Sequence, residues 1–306
     1  MTDSLNWTEE QWESVRRTVH DQALRARVAA SFLPLFGPLP TDTQMVPANV
    51  LEYMPDPNGT HDRMAVLDNV SIRLLSLSVN VYLKNAQVAD PELTSAMIMF
   101  RRAANVIARV EDAIIFNGQG PGDEGPMGGN GLTQTQPIWR VSGGQESSGL
   151  LAAGLGNQPK NPNPAPGYDL GQRVFLSVVK AIENIEGAGY HGPFACVMGD
   201  GLFTAITAPM PNSMVLPRDS LLPFLDAPLL RSSAIPRNQA VIVSLHGAPV
   251  EIVVPNDITV RHLQTTPDAL HVFRVQQRFV LRIKDQAAVA TVTFDGDEEL
   301  AGLSAA

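Results

Sequence analysis

The sequence contains few groups of residues that could carry out covalent chemistry. Glu111 and Asp112 are adjacent carboxylates, but neighbouring residues on a helix point about 100° apart, so they cannot form a catalytic dyad. Cys196 lies in the apolar run Phe194–Met198, which favours a buried, unreactive thiol. The Gly-x-Ser-x-Gly motif of hydrolases is absent. We therefore expect no catalytic site, and we interpret the carboxylate pair as a salt-bridge or interface element.

Metal and phosphate sites are not indicated either. The histidines include neither an i, i+4 helical pair nor a His-Glu-x-x-His motif, so no metal site is predicted; they are His20, His61, His191, His246, His262 and His271. Residues 118–131 are rich in glycine, but they lack the lysine of a phosphate-binding loop and include two carboxylates. We interpret this segment as a solvated loop, and no cofactor is expected.

Charge and hydropathy restrict the class of protein. The 306 residues include 22 basic and 31 acidic side chains, a net charge of -9 at pH 7, which argues against nucleic acid as the main partner. No apolar run approaches the roughly 20 residues of a membrane span, and the N-terminal residues lack the apolar core of a signal peptide. A single cysteine excludes an intramolecular disulfide. These features predict a soluble cytoplasmic protein without a membrane partner.

The elements that must position any functional residue begin with an amphipathic helix. Thr8 and Gln11 have the spacing of a capping box, and Trp7 and Trp12 occupy the two positions of a hydrophobic staple. Apolar residues then recur every three or four positions over a helix of about 22 residues, namely Trp12, Val15, Val19, Ala23, Ala26 and Ala30. The small residues in the second half of this stripe would allow a close approach by another element.

A hairpin and a long helix follow. Residues 45–83 have the composition of extended strands and are interrupted by the turn Pro55–Gly59, which predicts two long arms. Neither arm has an obvious partner nearby, so we expect the hairpin to lie on another surface. The Asp90-Pro91 start signal predicts a helix from about residue 91 to 116, ended by Asn117-Gly118.

The second half of the chain alternates between loops and short elements. Glycine and proline are concentrated in residues 117–167, which we interpret as a long loop without packed elements. A helix begins after Asp169, residues 194–198 form a buried strand, and short β-rich runs occupy residues 240–294. The predicted fold class is α+β.

The order of these elements resembles the encapsulin shell proteins, the linocin-like family, which share the major capsid fold of tailed phages of the Hong Kong 97 type. The most specific match is residues 103–118, where the long helix ends in Glu-Asp, followed by Ile-Phe and Gly. Residues 36–38, 189–193 and the strand sequences 259–262 and 270–283 also resemble the family. Two departures are the long stretch 133–166 and the absence of charged residues in 30–34.

The resemblance implies a domain organisation for the whole chain. It consists of an inward-facing N-terminal helix (1–37), a peripheral domain with the extended loop and spine helix (38–132), a Gly/Pro-rich insertion (133–167), an apical domain (168–240) and a closing segment that returns from the apical to the peripheral domain (241–306).

The function implied by the resemblance is a non-enzymatic, self-assembling shell. Sixty subunits, or a multiple, would form an icosahedral nanocompartment around cargo enzymes, such as a ferritin-like protein or a peroxidase, held by a short targeting peptide. The alternative is a phage major capsid protein that packages DNA. It is disfavoured because the first helix begins near Thr8, which leaves no room for a scaffolding segment. An enzyme is the second alternative, and the lack of a catalytic constellation counts against it.

Three sets of site residues complete the hypothesis. The intersubunit hairpin is assigned to Asp56, Asn58, Gly59 and Asp62. A pore loop on a symmetry axis is assigned to Met210, Pro211, Asn212 and Ser213, with an ordinary surface loop as the alternative. A cargo-peptide groove is assigned to Ala23, Ala26, Arg27, Ala30, Ile258 and Val260. The alternative for the groove is that the helix stripe packs against its own subunit's core.

Overall fold

A computed structural model describes residues 5, 7–55, 62–67, 69–127, 138–159, 168–209 and 215–294. The helices are α1 (Glu9–Ala26), α2 (Asn85–Val88), α3 (Thr94–Asn117), α4 (Gly149–Ala153), α5 (Leu170–Gly187), α6 (Asp200–Thr207) and α7 (Pro217–Leu225). Short 3-10 turns occupy Ala29–Ser31, Gly154–Asn157 and Gln286–Ala288. The strands are β1 (Leu35–Phe36), β2 (Met45–Pro47), β3 (Val50–Pro55), β4 (Asp62–Leu67), β5 (Ser71–Arg73), β6 (Leu75–Lys84), β7 (Trp139–Gly143), β8 (Phe194–Met198), β9 (Leu229–Arg231), β10 (Gln239–Ser244), β11 (Val250–Thr265), β12 (Leu270–Ile283) and β13 (Val289–Thr293). The mixture of helices and sheets confirms the α+β prediction.

A five-stranded sheet forms the larger part of the molecule. Its strand order is β1-β11-β12-β6-β7, antiparallel except for the β1–β11 pair. Helices α1 and α3 lie on one face, which we call the helix-covered face, where Phe100 of α3 contacts Phe273 of β12 edge to face. The largest side chains of this core are fully buried: Phe100, Phe116, Phe273, Phe279, Leu77 and Leu83.

A second sheet has the order β13-β10-β8-β9 and its own core. Helices α5, α6 and α7 cover one face, where Cys196 and Met198 are completely buried. The alternate side chains, including Val197 and Val241, belong instead to the apolar cluster around α3 and α4. Because strand side chains alternate between faces, this sheet is sandwiched between the two cores.

Helix α1 begins as predicted and ends earlier. The capping box of Thr8 and Gln11 is present, and the Trp7 and Trp12 rings meet edge to face with their centroids 5.0 Å apart. The helix ends at Ala26 rather than near residue 30. The Arg27 N–H still donates to the Ala23 carbonyl, but the N–H groups of Val28 and Ala29 donate to Asp112 of α3 instead of continuing the helical ladder.

Helix α3 begins three residues later than the sequence predicted. Asp90 does accept backbone hydrogen bonds, from Glu92 (3.1 Å) and Thr94 (2.9 Å), but it does so in a turn that precedes the helix. Leu93, between this turn and the helix, is in the left-handed region at φ 52°. The sequence therefore predicted correctly that Asp90 accepts backbone hydrogen bonds, but the helix begins at Thr94 rather than at about residue 91.

The predicted hairpin over residues 45–83 is shorter in the structure. Strands β3 and β4 pair with each other, β2 pairs with β5, and β6 is an interior strand of the five-stranded sheet between β12 and β7. The alternation along β6 explains this, since its odd-numbered residues from Leu75 to Leu83 are buried in the core.

The prediction that residues 117–167 form a loop without packed elements is wrong for residues 138–159. Strand β7 extends the five-stranded sheet, and Leu150 of α4 is completely buried. Glycine serves close packing here, because a Cβ on Gly154 would lie 2.4 Å from the Thr291 hydroxyl oxygen. Glycine enrichment therefore reflects tight contacts as well as loops.

Strand β12 has the bounds predicted from the sequence, Leu270–Ile283, whereas β11 is longer than the short runs predicted for it. Strand β11 is continuous from Val250 to Thr265, with register shifts against β12 around Asn256 that accommodate Pro255 inside the strand. Strand β13 returns to the second sheet and pairs with β10.

Candidate assembly and cargo-docking sites

The β3–β4 hairpin exposes an apolar ladder. Leu51 pairs with Val66 and Tyr53 pairs with Met64, and paired residues share a face of the ribbon. Tyr53 is 58% exposed and Met64 is 75% exposed. At its base, the Leu51 N–H donates to the Lys284 carbonyl at 2.8 Å. A two-stranded ribbon is marginally stable alone, and contiguous exposed apolar groups mark interaction sites.

The sequence analysis assigned the intersubunit contact to residues at the tip of the hairpin, and most of these lie outside the described residues. Asp56, Asn58 and Gly59 belong to that segment, and Asp62 begins β4 without a described side chain. Sequence reasoning missed the apolar ladder itself. Its signal was available in the alternating Leu51 and Tyr53 before the turn and Met64 and Val66 after it.

The face of the five-stranded sheet opposite α3 is covered at only one end within the described residues; we call it the open face. The β2–β5 ribbon covers that end through a small apolar cluster containing Val46, Leu74, Val253 and Val280. Val280 points away from the core cluster that contains Phe279, so the ribbon and α3 lie on opposite faces.

The uncovered part of the open face is basic. The strand registers place Arg274 opposite Arg261 and Asn80, and Arg140 opposite Ser78. None of the ion pairs in the described part of the chain includes Arg140, Arg261 or Arg274. A cavity of about 290 Å³ lies here, lined by Ser78, Asn80, Tyr82, Ile138, Trp139, Arg140 and Arg274. Half-exposed apolar side chains therefore lie beside arginines that form no ion pair within the described residues.

The predicted pore loop cannot be assessed from the described residues. Met210, Pro211, Asn212 and Ser213 all lie outside them. The flanking elements are α6, which ends at Thr207, and α7, which begins at Pro217.

The structure brings the six predicted groove residues together but buries most of them. Helix α1 packs on both α3 and β11, and Ala23, Arg27, Ile258 and Val260 lie in the subunit interior with no more than 9% exposure. This matches the alternative that the stripe packs against its own core, so these four residues do not line an open groove. Ala26 and Ala30 remain partly exposed.

An exposed leucine beside them was missed by the sequence analysis. Leu24 is 60% exposed on α1, next to the charged Arg25. It does not belong to the apolar stripe that was used to define the helix, and this is why the pattern did not reveal it. Leu24 lies two positions before Ala26, about 200° around the helix, so it faces a different side of α1 from Ala26.

Buried charges hold the end of α1 against α3. The Arg27 Nε atom lies 2.7 Å from Glu111 Oε2, and its terminal nitrogens donate to Asp257 (3.1 Å) and Gln277 (2.6 Å). Burial raises the pKa of Glu111, while Arg27 and the Gln277 amide oppose that shift. The predicted salt bridge of Glu111 is therefore confirmed, and Arg27 is an interior residue rather than a surface one.

The other candidates for chemistry are the single cysteine and the possible metal ligands. Cys196 is completely buried, and burial raises the pKa of its thiol. Among the residues that the structure describes, no three His, Cys, Asp or Glu side chains come together to hold a metal ion. No helix within the described ranges has the length and apolar character needed to cross a membrane.

Comparison with known proteins gives one consistent result. A model of the family described as encapsulating protein for peroxidase matches residues 2–153 and 143–280. The type 1 encapsulin shell protein EncA of Myxococcus xanthus is 24% identical over 95% of both chains. A diheme-cytochrome-encapsulin shell fusion protein of Kuenenia stuttgartiensis is 24% identical over 95% of this chain and 75% of its own length.

Solved structures agree on the fold. The virus-like particle of Pyrococcus furiosus has a TM-score of 0.60 at 13% identity and covers 93% of this chain and 100% of its own. A chain from Mycobacterium phage Bobi has a TM-score of 0.57 at 17% identity and covers 90% of each chain. The fold is thus that of phage major capsid proteins, as predicted. The chain therefore belongs to the family of encapsulin shell proteins, and it is a self-assembling, non-enzymatic shell subunit.

Proposed function

We propose that this shell is an icosahedral compartment of 60 subunits or a multiple, which encloses a cargo protein in the cytoplasm. The observation that carries the proposal is the apolar ladder of the β3–β4 hairpin, with Tyr53 and Met64 both more than half exposed. Such a ribbon gains stability when a neighbouring copy covers it. Repetition of one such contact between different surfaces closes a shell when the rotation between neighbours permits closure.

The open face of the neighbouring sheet is the proposed acceptor for the hairpin. The hairpin continues from the β2–β5 ribbon, which already lies on the open face of its own subunit. In a shell one subunit thick, every copy keeps the same face outward. A hairpin that leaves from the open face of one subunit therefore meets the open face of the next.

Chemical complementarity supports the same pairing. The hairpin ladder is apolar, and its turn sequence contains Asp56 and Asp62. The acceptor combines half-exposed Tyr82 and Ile138 with the cations of Arg140 and Arg274. Opposite charges at an interface favour correct register and encounter, while burial of apolar groups supplies most of the affinity.

Disulfide trapping tests this arrangement with little background, because the chain's single cysteine is completely buried. We expect Asn58→Cys combined with Ser78→Cys to give a ladder of covalent oligomers on non-reducing gels after mild oxidation. The matched control combines Asn58→Cys with Ser95→Cys, an exposed position on α3 on the opposite side of the sheet. Each single variant controls for disulfides between two tips.

The possible outcomes distinguish a failure of the shell proposal from a failure of the proposed hairpin docking. Closed particles by negative-stain imaging without a ladder, or a ladder in the Ser95 control, would show that the hairpin docks elsewhere. Soluble monomers without particles would overturn the shell proposal itself. Nuclease-resistant DNA inside purified particles would instead favour the phage-capsid alternative.

We further propose that cargo is held by a short apolar targeting peptide on the surface formed by the partly exposed Ala26 and Ala30, which we call the α1 surface. The family model is described as an encapsulating protein for peroxidase, and the Kuenenia stuttgartiensis relative is a fusion with a diheme cytochrome. A peroxidase is therefore a proposed cargo, and the family resemblance adds a ferritin-like protein as the other candidate. Ala26 and Ala30 support this site, because small, partly exposed side chains leave room for an apolar group, which gains free energy when it is buried.

The pore loop, Met210 to Ser213, is proposed to line an opening on a symmetry axis. Its support is sequence position alone, between α6 and α7 and rich in proline. Its neutral Asn212 and Ser213 side chains would admit small ions of either sign.

A further inference from the structure

Two neighbouring side chains of α3 hold the connection between α1 and the following 3-10 turn: Glu111 binds the Arg27 side chain, and Asp112 binds the backbone. The Asp112 carboxyl oxygens accept hydrogen bonds from the Val28 N–H (2.9 and 3.1 Å) and the Ala29 N–H (2.8 Å). Asp112 is 3% exposed. The chain can leave α3 at this point only by giving up these bonds, which makes residues 27–31 a defined hinge.

The surroundings of Asp112 are short of positive charge. Arg27 is the cation of the cluster, and it already faces Glu111 and Asp257. The Gln277 amide from β12 donates to Glu111 at 3.1 Å and carries no charge. Asp112 in its ionised form is thus a third carboxylate beside one guanidinium, in a site from which water is largely excluded.

The other titratable groups at this junction lie at its exposed rim. On α1, the His20 Nε2 atom is 3.1 Å from Asp257 Oδ2, and its Nδ1 atom is 3.4 Å from Asp21. On α3, Arg109 points to solvent. The 3-10 turn, residues 29–31, contributes no ionisable side chain. Asp112 is therefore the buried group whose charge is least compensated.

We propose that the α1–α3 junction is a pH-sensitive hinge, which acid tightens and neutral pH loosens. The hinge belongs to the isolated subunit and does not depend on shell assembly. Its consequence for cargo rests on the proposed α1 surface, since Ala26 directly precedes the segment that opens and Ala30 lies within it.

The sign of the effect follows from proton linkage. Burial raises the pKa of Asp112 to about 7, and the bonds from Ala29 and Val28 oppose that shift without cancelling it. Once the junction opens, the carboxyl is solvated and its pKa returns to about 4. At pH values between about 4 and about 7, the closed junction therefore holds one more proton than the open junction. In this range the ratio of open to closed junctions rises by up to about tenfold per pH unit, and it levels off above about pH 7.

Hydrogen exchange with mass spectrometry measures this opening on the purified protein. The Val28 and Ala29 amides are direct reporters, because Asp112 accepts their hydrogen bonds. Exchange of peptides covering residues 24–33 is followed from pH 5 to 8 and corrected for the intrinsic rate. Peptides from α5, which lies in the other core, are the internal reference.

Two variants assign the effect to one side chain. Asp112→Asn keeps an acceptor oxygen but cannot titrate, so the corrected opening should vary less than about threefold across the same range. His20→Gln should leave the wild-type profile unchanged. The proposal is overturned if the wild-type opening is independent of pH, if Asp112→Asn retains the wild-type dependence, or if His20→Gln abolishes it. Should Asp112→Asn fail to fold, the wild-type profile against α5 decides alone.

Discussion

Removing the apolar ladder of the hairpin should raise the concentration at which shells form. In the double variant Tyr53→Ser/Met64→Ser, two adjacent groups of one face lose their contact with the neighbour. A fully buried methionine contributes about 1.5–3 kcal/mol, and an aromatic side chain buries roughly 150–250 Å² at about 25 cal/mol per Å². Met64 is 75% exposed and Tyr53 is 58% exposed in the subunit.

Scaling by these exposed fractions gives roughly 3–6 kcal/mol for complete coverage, and side-chain ordering reduces the net gain to about half of that. A loss of about 1.5–3 kcal/mol corresponds to roughly a 12- to 150-fold change in an association constant. The assembly threshold, measured by size-exclusion chromatography and light scattering over a dilution series, should rise accordingly.

The matched control changes two similarly exposed apolar residues elsewhere. Ile98 and Met99 are 61% and 42% exposed on α3, which lies on the opposite side of the sheet from the proposed acceptor. Ile98→Ser/Met99→Ser should keep the wild-type threshold. The reasoning is refuted if Tyr53→Ser/Met64→Ser assembles at the wild-type threshold, or if both double variants raise it equally.

Four further predictions address other parts of the molecule. Arg27→Met leaves Glu111 buried without its cation and should lower the free energy of unfolding by about 3–5 kcal/mol in urea titrations, whereas exposed Arg109→Met should cost far less. Gly154→Ala places a Cβ 2.4 Å from the Thr291 hydroxyl and should destabilise by about 1–3 kcal/mol in the same assay; Gly156→Ala, where nothing lies within 4 Å, is the control. Ala26→Trp should lower co-purified cargo per shell without preventing assembly, and unchanged stoichiometry would place the docking surface elsewhere. Asn212→Asp should change the rate at which small ions enter loaded shells, and unaltered uptake would favour an ordinary surface loop.

Local signals in the sequence were sufficient for several elements. The capping box of Thr8 and the Trp7–Trp12 contact depend on residues within one helical turn, and both are present. The long helix and the buried strand around Cys196 follow from periodicity and apolar composition. The family resemblance rested on the end of α3, where Glu111 and Asp112 now have defined partners.

Other features depend on contacts between distant parts of the chain. Strand β6 alternates like a hairpin arm, and only its pairing with β12, nearly two hundred positions away, makes it an interior strand. Arg27 was assigned to an open groove together with Ala23, Ala26 and Ala30, but its bonds to Glu111, Asp257 and Gln277 hold it in the interior. The tight packing of Gly154 likewise exists only once β13 is in place.

The central position of β12 also sets an order of events during synthesis. This strand, Leu270–Ile283, joins β11 to β6 and supplies Arg274 to the proposed acceptor face, while β13 completes the second sheet. A nascent chain cannot close either sheet until these last strands have left the ribosome, whereas the β3–β4 hairpin is local and can form early. In the proposed arrangement, a growing subunit can therefore offer its hairpin to a neighbour before its own acceptor face is complete.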